Sequence, residues 1–215
     1  MESALRDGAG EPGLKLIETL LYDGTGFPRL NLHLNRLHGS ALRLGWAGIR
    51  EKAERAIRAA TPHGPARLRL TLDATGEITV TTSALPPAKP VWHLALALAR
   101  LSSDDPWLTL KSTRRAAYDA ARAALPPGID EVIFTNERGE ACDGSITTLF
   151  FDRGQGMRTP PVSSGLLPGV LRAALDLPEE VLPAAELPQV KLWVGNALRG
   201  LTPAIWAKST TESST

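Results

Sequence analysis

Three prolines within six residues, in Leu85-Pro86-Pro87-Ala88-Lys89-Pro90, divide this chain into two unequal parts. Proline fixes φ and lacks an N–H, so such a run suits neither a helix interior nor a central strand and stays extended and stiff. The two sides must therefore build separate hydrophobic layers and meet at this joint. This gives a small α+β domain over residues 1–84, a linker over 85–90 and a larger α+β domain over 91–215. A chain of 215 residues is long enough to bury a core on each side. Ligands often bind where two such units meet, so a site is expected at the joint.

Hydrophobic periodicity fills in the two sides. Residues 1–13 predict a loose leader, because Gly8, Gly10, Pro12 and Gly13 discourage regular structure. Residues 14–22 predict a strand closed by the turn Asp23-Gly24-Thr25-Gly26. Leu34, Leu37, Ala41 and Leu44 then share one helical face, with Asn31 placed to cap that helix. Ile49, Ala53, Ile57 and Ala60 mark a second helix, stopped by Thr61-Pro62-His63-Gly64-Pro65. A strand pair over 67–72 and 77–82 turns through Gly76. Beyond the linker, 91–98 predicts a strand and 112–125 an alanine-rich helix. Sheet is expected at 131–135 and 146–151, a short helix near Pro168-Gly169, and a late strand at 191–194. Lys208 to Thr215 is a Ser/Thr-rich tail expected to fray.

Bulk properties exclude several classes. With 24 basic against 23 acidic residues there is no excess of positive charge to hold a nucleic acid. Cys142 is the single cysteine, so no intrachain disulfide forms and a reducing compartment is expected. No apolar run reaches the ~18 residues a membrane span needs, and the opening MESALRDGAGEPG lacks a signal-peptide core. A cytoplasmic protein without metal, membrane or nucleic-acid partners is the expectation. His33, His38, His63 and His93 show no ligand spacing and are read as solvated or packed side chains. No dinucleotide fingerprint, Walker loop or nucleophile elbow occurs.

Four separated segments carry chemistry. In Leu110-Lys111-Ser112-Thr113-Arg114-Arg115 a lysine stands between an apolar stretch and the start of a helix. Partial burial and the neighbouring Arg114 and Arg115 would lower its pKa and make the amine nucleophilic. The second, Glu140 to Phe150, places Asp143 before Gly144 and an apolar strand. The third, Gly165-Leu166-Leu167-Pro168-Gly169-Val170-Leu171-Arg172, exposes the first N–H groups of a helix to an anion. The fourth, Leu192 to Pro203, runs from a strand into a glycine-containing loop able to close the other side of a phosphate cup.

Taken together and in this order, the segments resemble the class IV aminotransferase family of fold-type IV pyridoxal-phosphate enzymes. The resemblance covers roughly residues 14–206, and rests on K-S-T-R-R-A-A-Y-D-A-A-R, N-E-R-G-E-A-C-D-G-S-I-T-T-L-F, T-P-P-V-S-S-G-L-L-P-G-V-L-R and V-G-N-A-L-R-G-L-T-P-A, with I-E-T-L and H-L-N-R-L near the start. Within the family it is strongest for the aminodeoxychorismate-lyase branch, to which a short N-terminal segment and the R-G-L-T-P-A ending also point. The resemblance implies a two-domain α+β fold and pyridoxal 5′-phosphate as cofactor. Lys111 would hold that cofactor as a Schiff base and shuttle the substrate proton. Asp143 would face the pyridine nitrogen where the family has glutamate, keeping it protonated so that the ring acts as electron sink. Arg36 would grip the phosphate, with the Gly169-Val170-Leu171 helix start and Asn196 and Ala197 completing the cup.

The chain departs from the family pattern at three positions. Asp143 is shorter than glutamate, Thr148 stands where asparagine is usual, and Ala197 stands where a hydroxyl commonly meets the phosphate, with Asn196 as its substitute. Arg67 or Arg69, only one of them facing the cleft, is the candidate for a substrate carboxylate, and Tyr118 either approaches the cofactor or packs its helix. The leading activity is cleavage of 4-amino-4-deoxychorismate to pyruvate and 4-aminobenzoate. Alternatives are amino transfer between an amino acid and a 2-oxo acid, and a catalytically impaired relative serving as a binding protein. The resemblance further implies a homodimer acting on a small amino substrate.

Overall fold

The computed structural model describes residues 2–47 and 49–207. The first half forms an antiparallel three-stranded sheet, β1 (Lys15–Tyr22), β2 (Ala66–Asp73) and β3 (Ile78–Ser83), in the order β1-β2-β3. Strand β2 alternates strictly. Ala66, Leu68, Leu70 and Leu72 are buried, while Arg67, Arg69 and Thr71 face the other way. That period of two is what a sheet with one covered face requires. The cover is α2 (Leu30–Arg43) and α3 (Arg50–Ala59), whose Leu34, Leu37, Ala53 and Ile57 pack on Leu16, Leu20 and Leu68.

The second half is a six-stranded sheet with the order β6-β5-β4-β9-β8-β7. Its strands are β4 (Trp92–Leu101), β5 (Glu131–Asn136), β6 (Ala141–Gly144), β7 (Thr148–Asp152), β8 (Lys191–Asn196) and β9 (Gly200–Trp206). Strand β4 runs parallel to both of its neighbours, and the remaining pairings are antiparallel. Helix α4 (Ala116–Ala123) lies on the β4-to-β5 crossover, and the short α5 (Val170–Leu175) packs near β8. One core gathers Ile133, Leu149, Phe151 and Leu192; another gathers Phe134, Cys142 and Leu166. Residues 84–89, which contain most of the proline run, have no regular structure between β3 and β4.

Several expectations are corrected. The leader contains a helix, α1 (Glu2–Gly8), because Leu5 is fully buried and Gly8 sits so close to Trp107 that a Cβ would come within 2.6 Å of the indole. Tertiary packing overrides the local glycines. Asn31 does not cap α2. The capping position belongs to Arg29, in left-handed conformation with φ 65°, and Asn31 accepts a hydrogen bond from Arg50 instead. The helix expected over 112–125 starts only at Ala116, since Ser112 pairs with Leu16 and its hydroxyl accepts from the Arg114 N–H. Strands β6 and β9 were not anticipated. The expected fraying of Lys208 to Thr215 lies outside the described residues.

Candidate active site

Lys111 belongs by sequence to the second half but is anchored to the first. Its carbonyl accepts the Ile17 N–H at 2.7 Å, and the Thr113 N–H donates to Lys15 at 2.9 Å. The segment thereby covers the open edge of β1, where unpaired backbone groups need partners. This seam registers the small sheet against the large one and fixes the amine between them, in the irregular segment just after the 3-10 turn Pro106–Thr109.

All the residues singled out from sequence line one cleft of 370 Å³ between the two sheets. Lys111 and Arg36 share it with Asp143 and Tyr118; Gly169, Val170 and Leu171 enter at the start of α5, and Asn196 and Ala197 at the β8–β9 turn. Arg67 and Arg69 both reach it, against the expectation that only one would. Residues two apart on a strand share a face, so the pair must point the same way.

A buried carboxylate shapes the wall that holds Asp143. Glu131, fully buried at the start of β5, accepts from the Ser145 N–H at 3.1 Å, the Ser145 hydroxyl at 2.5 Å, the Ile146 N–H at 3.1 Å and the Thr147 hydroxyl at 3.0 Å. These bonds fold residues 144–147 into the tight link between β6 and β7. Gly144 has no room for a side chain there, since a Cβ would come within 2.4 Å of the Thr147 hydroxyl. Asp143 and Thr148 are thereby held on the two strand ends that line the cleft.

Asp143 accepts the Leu167 N–H through Oδ2 at 3.2 Å, whereas its Oδ1 is buried with no partner among the described residues. Burial pushes its carboxyl up to about 7, and Glu131 adds to this against the Leu167 N–H and the Lys111 and Arg115 charges. Lys111 moves oppositely, down to about 8, through burial and then the Arg36 guanidinium, with Arg115 and Arg69 adding to Arg36 and Glu18 opposing. Arg114, expected to contribute, lies instead over the Trp107 ring at 4.4 Å. Tyr118 packs edge-on against Phe134 at 4.8 Å, and burial drives its phenol far above the ordinary range, so it stays neutral.

Arg36 is held by the buried carboxylate of Glu18. Its Nε and Nη2 donate to Glu18 at 2.8 and 2.7 Å, its Nη1 donates to the Pro168 carbonyl at 3.3 Å, and His33 Nδ1 meets Glu18 at 2.6 Å. His33 is thus packed, as expected of it, but in the wall of the cleft. The only signal for Glu18 was an acid inside an apolar strand, I-E-T-L, which normally demands a buried partner. One amide N–H of Asn196 donates to the Ile146 carbonyl at 3.0 Å and its Oδ1 accepts the Leu198 and Arg199 N–H groups, so this side chain shapes the turn.

The donor set fits pyridoxal 5′-phosphate. An unpaired buried carboxylate oxygen matches a ring N–H, the guanidinium N–H groups that Arg36 has left beyond Glu18 and Pro168 match a phosphate, and the N–H groups opening α5 have no intrahelical acceptor. Gly169 keeps that helix start close to the wall, since a Cβ there would come within 2.6 Å of the Thr148 hydroxyl. Among the described residues no cluster of side chains could hold a metal ion, and no helix is long and apolar enough to cross a membrane.

The amino-transferase class IV family model matches residues 15–205, and the chain belongs to that family of pyridoxal-phosphate enzymes. A Schizosaccharomyces pombe protein, provisionally named an aminodeoxychorismate lyase, is 30% identical over 167 residues, covering 74% of this chain and 72% of its own. A Mesorhizobium loti crystal structure, provisionally named an amino-acid aminotransferase, is 40% identical with a TM-score of 0.85, covering 90% of this chain and 100% of that one. The 4-amino-4-deoxychorismate lyase of Pseudomonas aeruginosa shares the fold at 22% identity and a TM-score of 0.75, over 89% of this chain and 82% of its own.

Proposed function

We propose that this enzyme is a lyase that cleaves 4-amino-4-deoxychorismate to pyruvate and 4-aminobenzoate. The observation that carries the chemistry is Lys111, an amine of lowered basicity lining the same enclosed cleft as the unpaired Oδ1 of Asp143. The similarity to the S. pombe protein favours the lyase. Pyridoxal phosphate, when bound, supplies an electron sink for the carbon bearing the amine. Lys111 Nζ is the atom that would hold the cofactor. As an amine of lowered basicity, it would also be the base that takes the proton from the amine-bearing carbon and returns one later. Asp143 Oδ1 would accept from the protonated ring nitrogen and keep it protonated. Arg36, kept in place by Glu18, and the N–H groups of Val170 and Leu171 would hold the phosphate, beside Asn196 and Ala197. Loss of the carbon-bound proton and departure of the enolpyruvyl oxygen with the electron pair of its C–O bond would leave an aromatic ring, and the released enolpyruvate would gain a proton at its methylene carbon to become pyruvate. The free, buried thiol of Cys142 suits a reducing, cytoplasmic setting.

A second reading, amino transfer, is favoured by the similarity to the M. loti protein and uses the same first steps. Incubation with aminodeoxychorismate, scored for pyruvate, against a panel of amino acid and 2-oxo acid pairs separates the two. Lys111→Ala is expected to abolish the visible absorption band of the purified enzyme and to lower turnover by about 10³-fold or more. Full retention of both would sink this assignment of the amine.

A further inference from the structure

The turn between β5 and β6 carries a clasp that the cofactor reading does not use. Glu140 closes that turn with its side chain mostly buried. Its Oε2 accepts from the Ser164 hydroxyl at 2.9 Å and from Asn136 Nδ2 at 2.8 Å, while Arg138 donates to both carboxylate oxygens, from Nε at 3.0 Å and from Nη2 at 2.8 Å. The same turn grips the backbone beside that hydroxyl. Asn136 Nδ2 donates to the Ser164 carbonyl at 3.0 Å, and Arg138 Nη2 to the Ser163 carbonyl at 3.0 Å. Exposed ion pairs contribute little by themselves. Glu140 differs because one of its partners, Ser164, is fully buried. Hydrogen bonds from Arg138, then from Asn136 and Ser164, hold its carboxyl down to about 2 against burial, so it stays ionised at neutral pH.

Ser164 opens a short stretch that leads straight to the cleft. Gly165 follows in left-handed conformation, φ 87°, and a Cβ there would come within 2.7 Å of the Ser103 Cα. Glycine restrains its own backbone least of all residues, so the stretch takes its shape from outside contacts. Those are the clasp on Ser164 and the burial of Leu166 in the core with Phe134 and Cys142. Leu167 comes next, and its N–H, at 3.2 Å, is the hydrogen bond that holds Asp143 Oδ2. With Oδ2 so held, the unpaired Oδ1 is left to the cofactor. An aspartate has one torsion fewer than a glutamate with which to correct its aim. We propose that Glu140 is a positioning residue: by holding Ser164 it keeps the Leu167 N–H on Asp143 Oδ2, and so aims Oδ1 at the ring nitrogen. The inference rests on the reading that Asp143 meets that nitrogen, and it holds for lyase and transaminase alike.

The test is a double-mutant cycle on pyridoxal phosphate affinity, read by absorbance titration of the cofactor-free full chain. Glu140→Gln keeps the volume and loses the charge, whereas Ser164→Ala removes one hydroxyl and leaves the β5–β6 turn intact. Each is expected to weaken cofactor binding about tenfold, and the two together no more than either alone, since both cut the same link. In an Asp143→Asn background the same substitutions should change affinity by less than about twofold. In cofactor-free protein, exchange of the Leu167 amide, followed by NMR, should speed up about tenfold in both variants. Should Glu140→Gln fail to fold, checked by thermal melting, Ser164→Ala carries the same test. A lower melting temperature with unchanged affinity and unchanged Leu167 exchange would make Glu140 a stabiliser of its own turn and overturn the proposal. So would a loss of affinity that persists in the Asp143→Asn background, which would route the clasp through α5 instead. If Asp143→Asn itself binds pyridoxal phosphate as the natural enzyme does, the reading of Asp143 fails and the proposal falls with it. If Asp143→Asn loses affinity while Glu140→Gln and Ser164→Ala do not, the positioning role alone falls.

Discussion

Asp143 is one methylene shorter than the glutamate of the family pattern, and its environment suits its charge poorly. Burial raises its carboxyl to about 7, so the folded protein resists ionising it. For an acid with a raised folded pKa, the cost to stability begins near the unfolded value of ~4, grows with pH and is complete above the folded value. At pH 8 that cost is on the order of 1–4 kcal/mol. Asparagine occupies the same space without the charge. Asp143→Asn is therefore expected to melt higher than the natural enzyme in cofactor-free protein at pH 8, with the gap closing toward pH 4. The same substitution should lower turnover about 10²–10³-fold, because the ring nitrogen loses its anionic partner. Thermal melting across pH beside a turnover assay gives both signs. A variant that loses stability and keeps its rate would make Asp143 a packing residue.

Among the elements, β1, α2 and the start of α5 depend on one clamp. Burial alone would push the Glu18 carboxyl up, but the Arg36 charge and the His33 and Arg36 hydrogen bonds pull it down to about 2. A depressed carboxylate stabilises the fold above its unfolded value and loses that contribution as pH falls through the folded one, here from about 4.5 toward 2. At neutral pH the shift corresponds to roughly 3 kcal/mol. Glu18→Gln is expected to lose about that much in urea unfolding at pH 7 and to weaken pyridoxal phosphate binding, since Arg36 is released; an unchanged unfolding midpoint would remove the clamp from this account. The sequence revealed the elements that carry a one-sided period, such as the alternating β2 and the leucine-faced α2. It hid β6, four residues ending in glycine, and β9, whose Gly200 and Pro203 read as loop. Pro203 is tolerated because β9 begins to pair with β4 only at Ala204. The residues that the fold gathers in the cleft were legible through their motifs, whereas Glu18 and Glu131 were not, because each acts through partners far away in the chain.

At the scale of the whole molecule the large sheet leaves apolar side chains in the open. Leu96 and Leu98 on β4 and Ile205 on the neighbouring β9 are exposed, with Leu98 fully so beside a shift in the β4–β5 register. Aliphatic groups on adjacent strands are costly in water at ~25 cal/mol per Å² and are commonly covered by another chain. We propose that a second copy of this chain covers them, forming the homodimer that the family resemblance implies. A stable dimer buries about 1,200–2,000 Å² in total, so these side chains would be the centre of the contact rather than all of it. Sedimentation at micromolar concentration should give a dimer, and Leu98→Glu should shift it to monomer by placing a charge at the apolar centre. Every residue assigned to the cofactor lines the cleft of a single chain. Monomeric Leu98→Glu is therefore expected to keep its pyridoxal phosphate band, and any loss of turnover should recover as concentration restores the dimer. A natural protein that sediments as a monomer, or a Leu98→Glu dimer, would mean that the exposed leucines cover no subunit contact.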